Sequence, residues 1–342
     1  MVKTKSLCEI CLPKQWKTIS TDMLTDEGYP VYGANGVIGF YSEYNHKEPT
    51  LLITCRGATC GTLNICEPYS YVNGNAMALD NLTGEVDIKY LYYFLLNRGF
   101  DDVITGSAQP QIVRQSLQKV SVTYPDLEKQ AEIVSTLEKI SMLITMRKEQ
   151  LAQLDELVKA RFVEMFGDPL KNDKGLPTVS GEVLFKLSNG KALPNSKRFA
   201  EGIPAYGGNG ISWYTDEILC DYDTIIVGRV GFQSGNVHLA KAPLWVTDNA
   251  MYISSINSRD CDIRFLCDLM EHLDFTRYQD AGDLKKITQK PFMQMQYLMP
   301  PMPLQKQYIA FAEQGDKLKL TIQASLDKLE IMKKALMQEF FG

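Results

Sequence analysis

The sequence predicts an α+β protein: two duplicated globular domains with small mixed or antiparallel sheets, separated by two long helices that form an antiparallel coiled coil. Three observations carry that prediction. A glycine- and asparagine-rich segment is written twice, GYPVYGANG at 28–36 and GIPAYGGNG at 202–210, 174 residues apart. Short apolar or β-branched runs bounded by turn residues lie downstream of each copy, as buried strands do. Each half then ends in a long stretch with apolar residues at alternating three- and four-residue steps, the pattern of a coiled-coil seam rather than of a rounded surface helix.

Taken in order, the first domain is expected over 1–125. Tyrosines and apolar residues flank Asn35-Gly36, a strong hairpin-turn signal. Leu51-Leu52-Ile53-Thr54 reads as a buried strand, and Ile88 to Arg98 as a short helix. A central long helix is expected over 126–166, with Asp126 after Pro125 as its N-cap and Gly167 as its stop. Its stripe is Ile133, Leu137, Ile140, Ile144, Leu151, Leu154, Val158 and Met165, interrupted by Arg147 and Arg161. Such a helix runs about 60 Å.

The second domain, over 167–303, repeats the plan with Thr224-Ile225-Ile226-Val227 as the strand and Ile263 to Leu273 as the helix. A C-terminal long helix over 304–342 carries Leu318, Ile322, Leu329, Met332 and Leu336. The intervening domain returns the chain to its starting end, so the two stripes bury each other most simply as an antiparallel pair. The duplication continues through finer matches. Arg56 aligns with Arg229 after a one-residue slip, Asn75-Ala76-Met77 with Asn249-Ala250-Met251, 126–134 with 303–311, and Phe166-Gly167 with Phe341-Gly342.

Composition narrows the function. With 45% hydrophobic and 23% charged residues the chain is globular. Its longest apolar run, Tyr90 to Leu96, is too short to cross a bilayer. The opening residues do not read as a secretion signal, so a cytoplasmic protein is expected. The cysteines include the pair Cys8 and Cys11 and the group Cys55, Cys60 and Cys66, but none of His46, His238 and His272 stands at ligand spacing from them. Reduced thiols are the reading, and no metal is expected. Gly33 to Gly39 lacks the strand, helix and acid of a dinucleotide site, and its second copy lacks the final glycine. Pro125 to Lys129 has the wrong spacing for a nuclease. No Walker loop, adenine-methyltransferase motif or catalytic triad is found. With 36 basic and 41 acidic residues, this chain by itself attracts phosphate only weakly.

The duplicated YGxNG segments, the TGSAQPQIVRQSLQKVSV stretch at 105–122 leading into PDLEKQAEIVSTLEKI, and RFVEMFGDP at 161–169 give the chain a likeness over nearly its whole length. It resembles the specificity (S) subunit of type I restriction–modification systems. That resemblance implies two target recognition domains, each reading one half of a split sequence in double-stranded DNA. It implies long helices that hold the half-sites about 10 bp apart and dock two methyltransferase (M) subunits, with a restriction and motor (R) subunit completing the complex. It implies no catalytic residue and no directly bound cofactor; the assembled complex would use S-adenosylmethionine, ATP and Mg²⁺ through its other subunits.

Candidate DNA-binding residues follow by type and position. Arg56 and Arg229 follow the strands within glycine-rich loops, where arginine grips guanine or phosphate; a loop-fixing salt bridge is the alternative. Gln109, Gln111 and Arg114 precede the first long helix, and Lys285, Lys286 and Gln289 the second; amide and basic side chains suit base edges and backbone, a solvated loop being the alternative. Tyr32, Asn35, Tyr206 and Asn209 lie in the repeated segment, where tyrosines also serve as core. Two other functions stay open at this point: a stand-alone DNA-modifying enzyme with an unfamiliar site, and an acidic interaction protein acting as a decoy for methyltransferase subunits.

Overall fold

The computed structural model describes residues 2–106, 109–282 and 285–342; Ser107 and Ala108, within the 105–122 stretch quoted above, lie outside the described residues. The chain divides into two compact units, Met1–Lys148 with Gln323–Gly342, and Glu149–Ile322.

In the first unit β1 (Lys3–Ser6) pairs antiparallel with β9 (Ser121–Tyr124), joining the ends of the globular part. The short helix α1 (Leu7–Ile10) leads into β2 (Leu12–Gln15). The hairpin β3 (Tyr29–Gly33) and β4 (Gly36–Tyr41) follows, then β5 (Leu51–Thr54), β6 (Leu63–Ile65), β7 (Tyr71–Val72) and β8 (Ala76–Asp80). One sheet is antiparallel in the order β2-β8-β5-β6; the other runs β4-β3-β7, with β7 parallel to β3. Successive side chains of a strand point to opposite faces, and both faces of β5 are covered. Leu51 and Ile53 enter the main core with Tyr90, Leu91 and Phe94 of α2 (Ile88–Arg98), while Leu52 joins Tyr32 and Val72 on the other side. That double burial explains the unbroken apolar run. Asp87 caps α2 by accepting from the Lys89 and Tyr90 amides at 2.9 Å, and α3 (Arg114–Leu117) precedes β9.

The central long helix is α4 (Leu127–Phe166). The second unit repeats the topology. Its strands are β10 (Thr178–Ser180), β11 (Phe185–Asn189), β12 (Ile203–Gly207), β13 (Gly210–Thr215), β14 (Thr224–Gly228), β15 (Val237–Ala240), β16 (Trp245–Val246), β17 (Ala250–Ile256) and β18 (Gln296–Leu298). The sheets run β10-β18, β11-β17-β14-β15 and β13-β12-β16. Its short helices are α5 (Gly181–Leu184), α6 (Ile263–Leu273) and α7 (Lys290–Gln294), and the chain closes with α8 (Met302–Phe341). The eight cysteines are unpaired thiols, six of them buried. Among the described residues no helix is long and apolar enough to cross a membrane.

Both long helices start and stop where local chemistry dictates. Asp126 accepts from the Lys129 amide at 3.0 Å, capping α4. At the other end Gly167 takes φ +76 and its amide returns to the Val163 carbonyl at 2.8 Å, a left-handed stop that favours glycine. The helices pack antiparallel within each unit. In the first, Ile133, Val134 and Leu137 share a core with Leu336, Met337 and Phe341, and Lys148 pairs with Glu330 at 3.0 Å. In the second, Asp155 pairs with Lys319, and the Phe162 and Tyr308 rings meet edge to face at 5.3 Å. Arg161, an interruption in the stripe, lies over the Phe311 ring at 5.7 Å and bonds Glu164.

The structure corrects two sequence readings of these helices. Along α8, Ile322, Leu329 and Leu336 are half-buried as expected, but Leu318 and Met332 are each 54% exposed. The seam runs one residue over, through Lys319, Leu326 and Lys333, because lysine can lay its aliphatic stem along apolar surface and keep its ammonium in water. The aligned pair 126–134 and 303–311 is also displaced by two. Gln130 accepts from the Asp87 amide and donates to the Glu85 and Pro125 carbonyls. Gln305, not Gln307, repeats this with Asp262, Asp260 and Pro300. Both amides are fully buried, and each fixes the first turn of its long helix to the loop before the domain's helix.

Candidate nucleic-acid interface

Each unit gathers three loops at one end of its sheets. In the first, Gly33 pairs with Gly36 across the turn Ala34-Asn35, and Gly36 sits at φ +89. A right-handed turn closed by a left-handed glycine and a bulge joins the strands, so Asn35 and Gly36 are not the two central turn residues. The Thr54 hydroxyl, at the end of β5, donates to the Ala34 carbonyl and holds the turn down. The chain beyond β5 is then stitched to its neighbours: the Cys55 amide to Asn75 O at 3.1 Å, Gly57 to Pro110 O at 3.1 Å, and Ile112 to Cys55 O at 3.0 Å. Between the loops lies an open cleft of about 440 Å³ whose rim carries Arg56, Asn75, Gln109 and Gln111.

The second unit builds the same frame. Gly207 pairs with Gly210, at φ +97, across Gly208-Asn209. Arg229 N bonds Asn249 O at 2.9 Å, Gly231 N bonds Lys285 O at 2.8 Å, and Ile287 N bonds Arg229 O at 3.0 Å. Its cleft of about 460 Å³ is edged by Asn209, Ser212, Phe232, Gln233 and Asn249.

This bonding overturns the pairing of Arg56 with Arg229. Cys55 and Arg229 make the same backbone bonds, so they are the counterparts, and Arg56 corresponds to Val230: the first bridges Gln111, the second Lys286. The extra residue that separates the two halves lies elsewhere. Strand β8 pairs with β2 without interruption, whereas in β17 Ser254 is skipped between the partners of Lys186 and Leu187. A β-bulge absorbs one added residue and leaves the rest of the ladder in place.

The sequence candidates fall into three groups. Arg56, Gln109 and Gln111 line the first cleft and Asn209 the second, while Asn35 is exposed on its hairpin turn and Lys286 on its loop. Arg114 is exposed at the start of α3, Lys285 is half-buried with its carbonyl engaged, and Gln289 immediately precedes α7 without capping it, its side chain reaching Asn189 at 3.4 Å. Arg229 turns back to donate to the Asp248 carbonyl at 3.0 Å. Tyr32 is 7% exposed, its hydroxyl accepting from the Glu67 amide, and Tyr206 is half-buried; burial raises both phenols above their ordinary value. These two tyrosines support the hairpins from below. Sequence reasoning missed Asn75 and Asn249 as cleft residues, although their recurrence ahead of Ala-Met was visible, and it missed Phe232.

Residues 1–156 match the family described as the type I restriction modification DNA specificity domain. The chain is 27% identical over 146 residues to the EcoprrI specificity subunit of a type I restriction enzyme from Escherichia coli, a match covering 41% of this chain and 36% of that protein. The matched stretch thus spans little more than a third of that relative's length. In fold, the chain resembles the crystal structure of a type I restriction-modification system S subunit from M. genitalium, with a TM-score of 0.71 and 16% identity over 100% of this chain and 96% of that one. A chain from a structural study of complex assembly and conformational transition in a type I restriction-modification system aligns with a TM-score of 0.57 and 14% identity, over 99% of this chain and 97% of that one. At those identities the likeness establishes the fold alone.

Proposed function

We propose that the chain is the sequence-reading, non-catalytic specificity subunit of a type I restriction–modification complex. Each unit applies its three-loop cleft to one half of a split sequence in double-stranded DNA. Two methyltransferase subunits dock on the long helices, a restriction and motor subunit joins through them, and S-adenosylmethionine, ATP and Mg²⁺ are used by those partners. The cytoplasm, with the DNA, is the expected location.

One observation carries this reading. The two clefts share a backbone frame, bond for bond, but differ in the side chains set on it: Arg56 against Val230, Ala58 against Phe232, Gln111 against Lys286, Arg114 against Gln289. A frame that holds still while its outward side chains change is what two readers of different base sequences need, since hydrogen bonds and apolar contacts to base edges specify sequence. The net charge of −5 fits a subunit that relies on partners for much of its grip on phosphate. The test is co-expression with the neighbouring methyltransferase, followed by genome-wide mapping of modified bases. A two-part sequence with a fixed gap is expected; modification of DNA by the purified chain alone, given S-adenosylmethionine, ATP and Mg²⁺, would contradict the non-catalytic role.

A further inference from the structure

The loop Gly231-Phe232-Gln233-Ser234-Gly235 after β14 projects a phenyl ring that is 88% exposed. Single exposed apolar side chains are ordinary on protein surfaces, so exposure by itself assigns nothing. Three further facts set this one apart. The ring stands on the lip of the second cleft, beside Asn209, Gln233 and Asn249. Its loop is tied from within, Ser234 N to Gly231 O at 3.0 Å, Gly235 N to Gly228 O at 2.8 Å and Asn236 N to Gln233 O at 3.1 Å. It is also braced from outside: the Gln279 amide donates to the carbonyls of Phe232 at 3.0 Å and Ser234 at 2.6 Å.

The first unit has the same loop with the same internal bonds, Cys60 N to Gly57 O at 3.0 Å, Gly61 N to Thr54 O at 2.8 Å and Thr62 N to Thr59 O at 3.0 Å. There the outward residue is Ala58, and the residue corresponding to Gln279 is Ile104, which packs against the core. The ring and its brace occur together in the second unit and are absent together from the first. A braced loop keeps the phenyl group from folding back onto the protein, which is the preorganisation a recognition contact needs.

We infer that Phe232 is a specificity-determining residue that makes an apolar contact with the bases of the half-sequence read by the second unit. The inference rests on the two-reader function proposed above. The amides beside the ring suit base edges, and the ring supplies what they cannot: contact with a thymine methyl group, or a wedge at a base step. Gln279 is a positioning residue that acts through the loop.

The experiment maps modified bases in cells expressing the full chain and its methyltransferase partner, for the wild type, Phe232→Ala, Phe232→Leu, Gln279→Leu and Arg56→Ala. Arg56→Ala marks the half-sequence of the first unit. Phe232→Ala is expected to cut the modification rate about fivefold or more, or to relax at least one base position, in the other half only. Phe232→Leu restores part of the loss, and Gln279→Leu moves the map in the same direction by less. Equal thermal unfolding of the wild type and Phe232→Ala shows that the domain is intact, as an exposed ring allows. A wild-type two-part sequence that Phe232→Ala leaves unchanged in rate and bases overturns the role of Phe232 alone, as does a change confined to the first half. A wild-type map without a two-part sequence removes the two-reader function and the role of Phe232 with it.

Discussion

Replacing Gln130 by Met tests whether a buried amide locks the first unit to its long helix. The carboxamide accepts from the Asp87 amide at 2.8 Å and donates to the carbonyls of Glu85 at 2.9 Å and Pro125 at 2.8 Å. Methionine keeps nearly the same volume, so little cavity forms, but it makes none of these bonds. Each hydrogen bond contributes about 1 kcal/mol net, and a buried group left without a partner costs at least as much. Three such losses predict about 3 kcal/mol of destabilisation, a large share of the ~5–15 kcal/mol that holds a typical domain. Gln130→Ala adds a cavity and is expected to cost about 1–2 kcal/mol more. Urea unfolding of the full chain, with hydrogen exchange resolved to β5 and β14, provides the assay. Gln130→Met lowers protection in β5 and Gln305→Met lowers it in β14. A cost below about 1 kcal/mol for either, or equal loss of protection in both strands from one substitution, would refute the reasoning.

Three further outcomes are expected. The Glu85 carboxyl accepts from the Tyr124 hydroxyl at 2.6 Å and from the Lys5 ammonium at 3.0 Å, which lower it to about 2 from the usual 4.5. Because the folded value lies below the unfolded one, its stabilisation is present above pH 4.5 and is lost as pH falls toward 2. The stability gap between wild type and Glu85→Gln, followed by urea midpoint, narrows over that window. A methyl group on Gly190 would overlap the carbonyl oxygens of Val246 and Thr247, so Gly190→Ala destabilises the second unit by about 1–3 kcal/mol, seen as lost protection in β14. Deleting one heptad from both α4 and α8 removes about 10 Å of each helix; base-modification mapping is expected to show a different gap between the half-sequences and the same bases within them.

Much of the fold was legible because its signals are local. The strands β5 and β14, the helices α2 and α6, and the span of α4 follow from runs, caps and periodicity that need no distant partner. The register between the two halves was not local. One added residue, Ser254, is hidden in a bulge, and a glycine-rich loop let Arg56 be matched with Arg229 when backbone bonding pairs it with Val230. The seam of α8 misled for a related reason: Leu318 and Met332 look apolar enough to face a partner, yet lysine stems at 319 and 333 do so. Gln130 and Gln305 gave no sequence signal, since glutamine is ordinarily a surface residue and only tertiary packing makes it a clamp. Of the cleft, the arginine and glutamines of the first unit were readable as polar loop residues, whereas nothing in the sequence around Phe232 sets it apart from the other aromatic residues.

The central claim is that two frames of the same construction read two different half-sequences independently. Mapping modified bases for Arg56→Ala and Lys286→Ala, each beside the wild type, tests it most directly. Each substitution is expected to alter one half-sequence, a different one in each case, and to leave the other half and the gap intact. Loss of both halves from either substitution, in a chain that still folds and assembles, would contradict it.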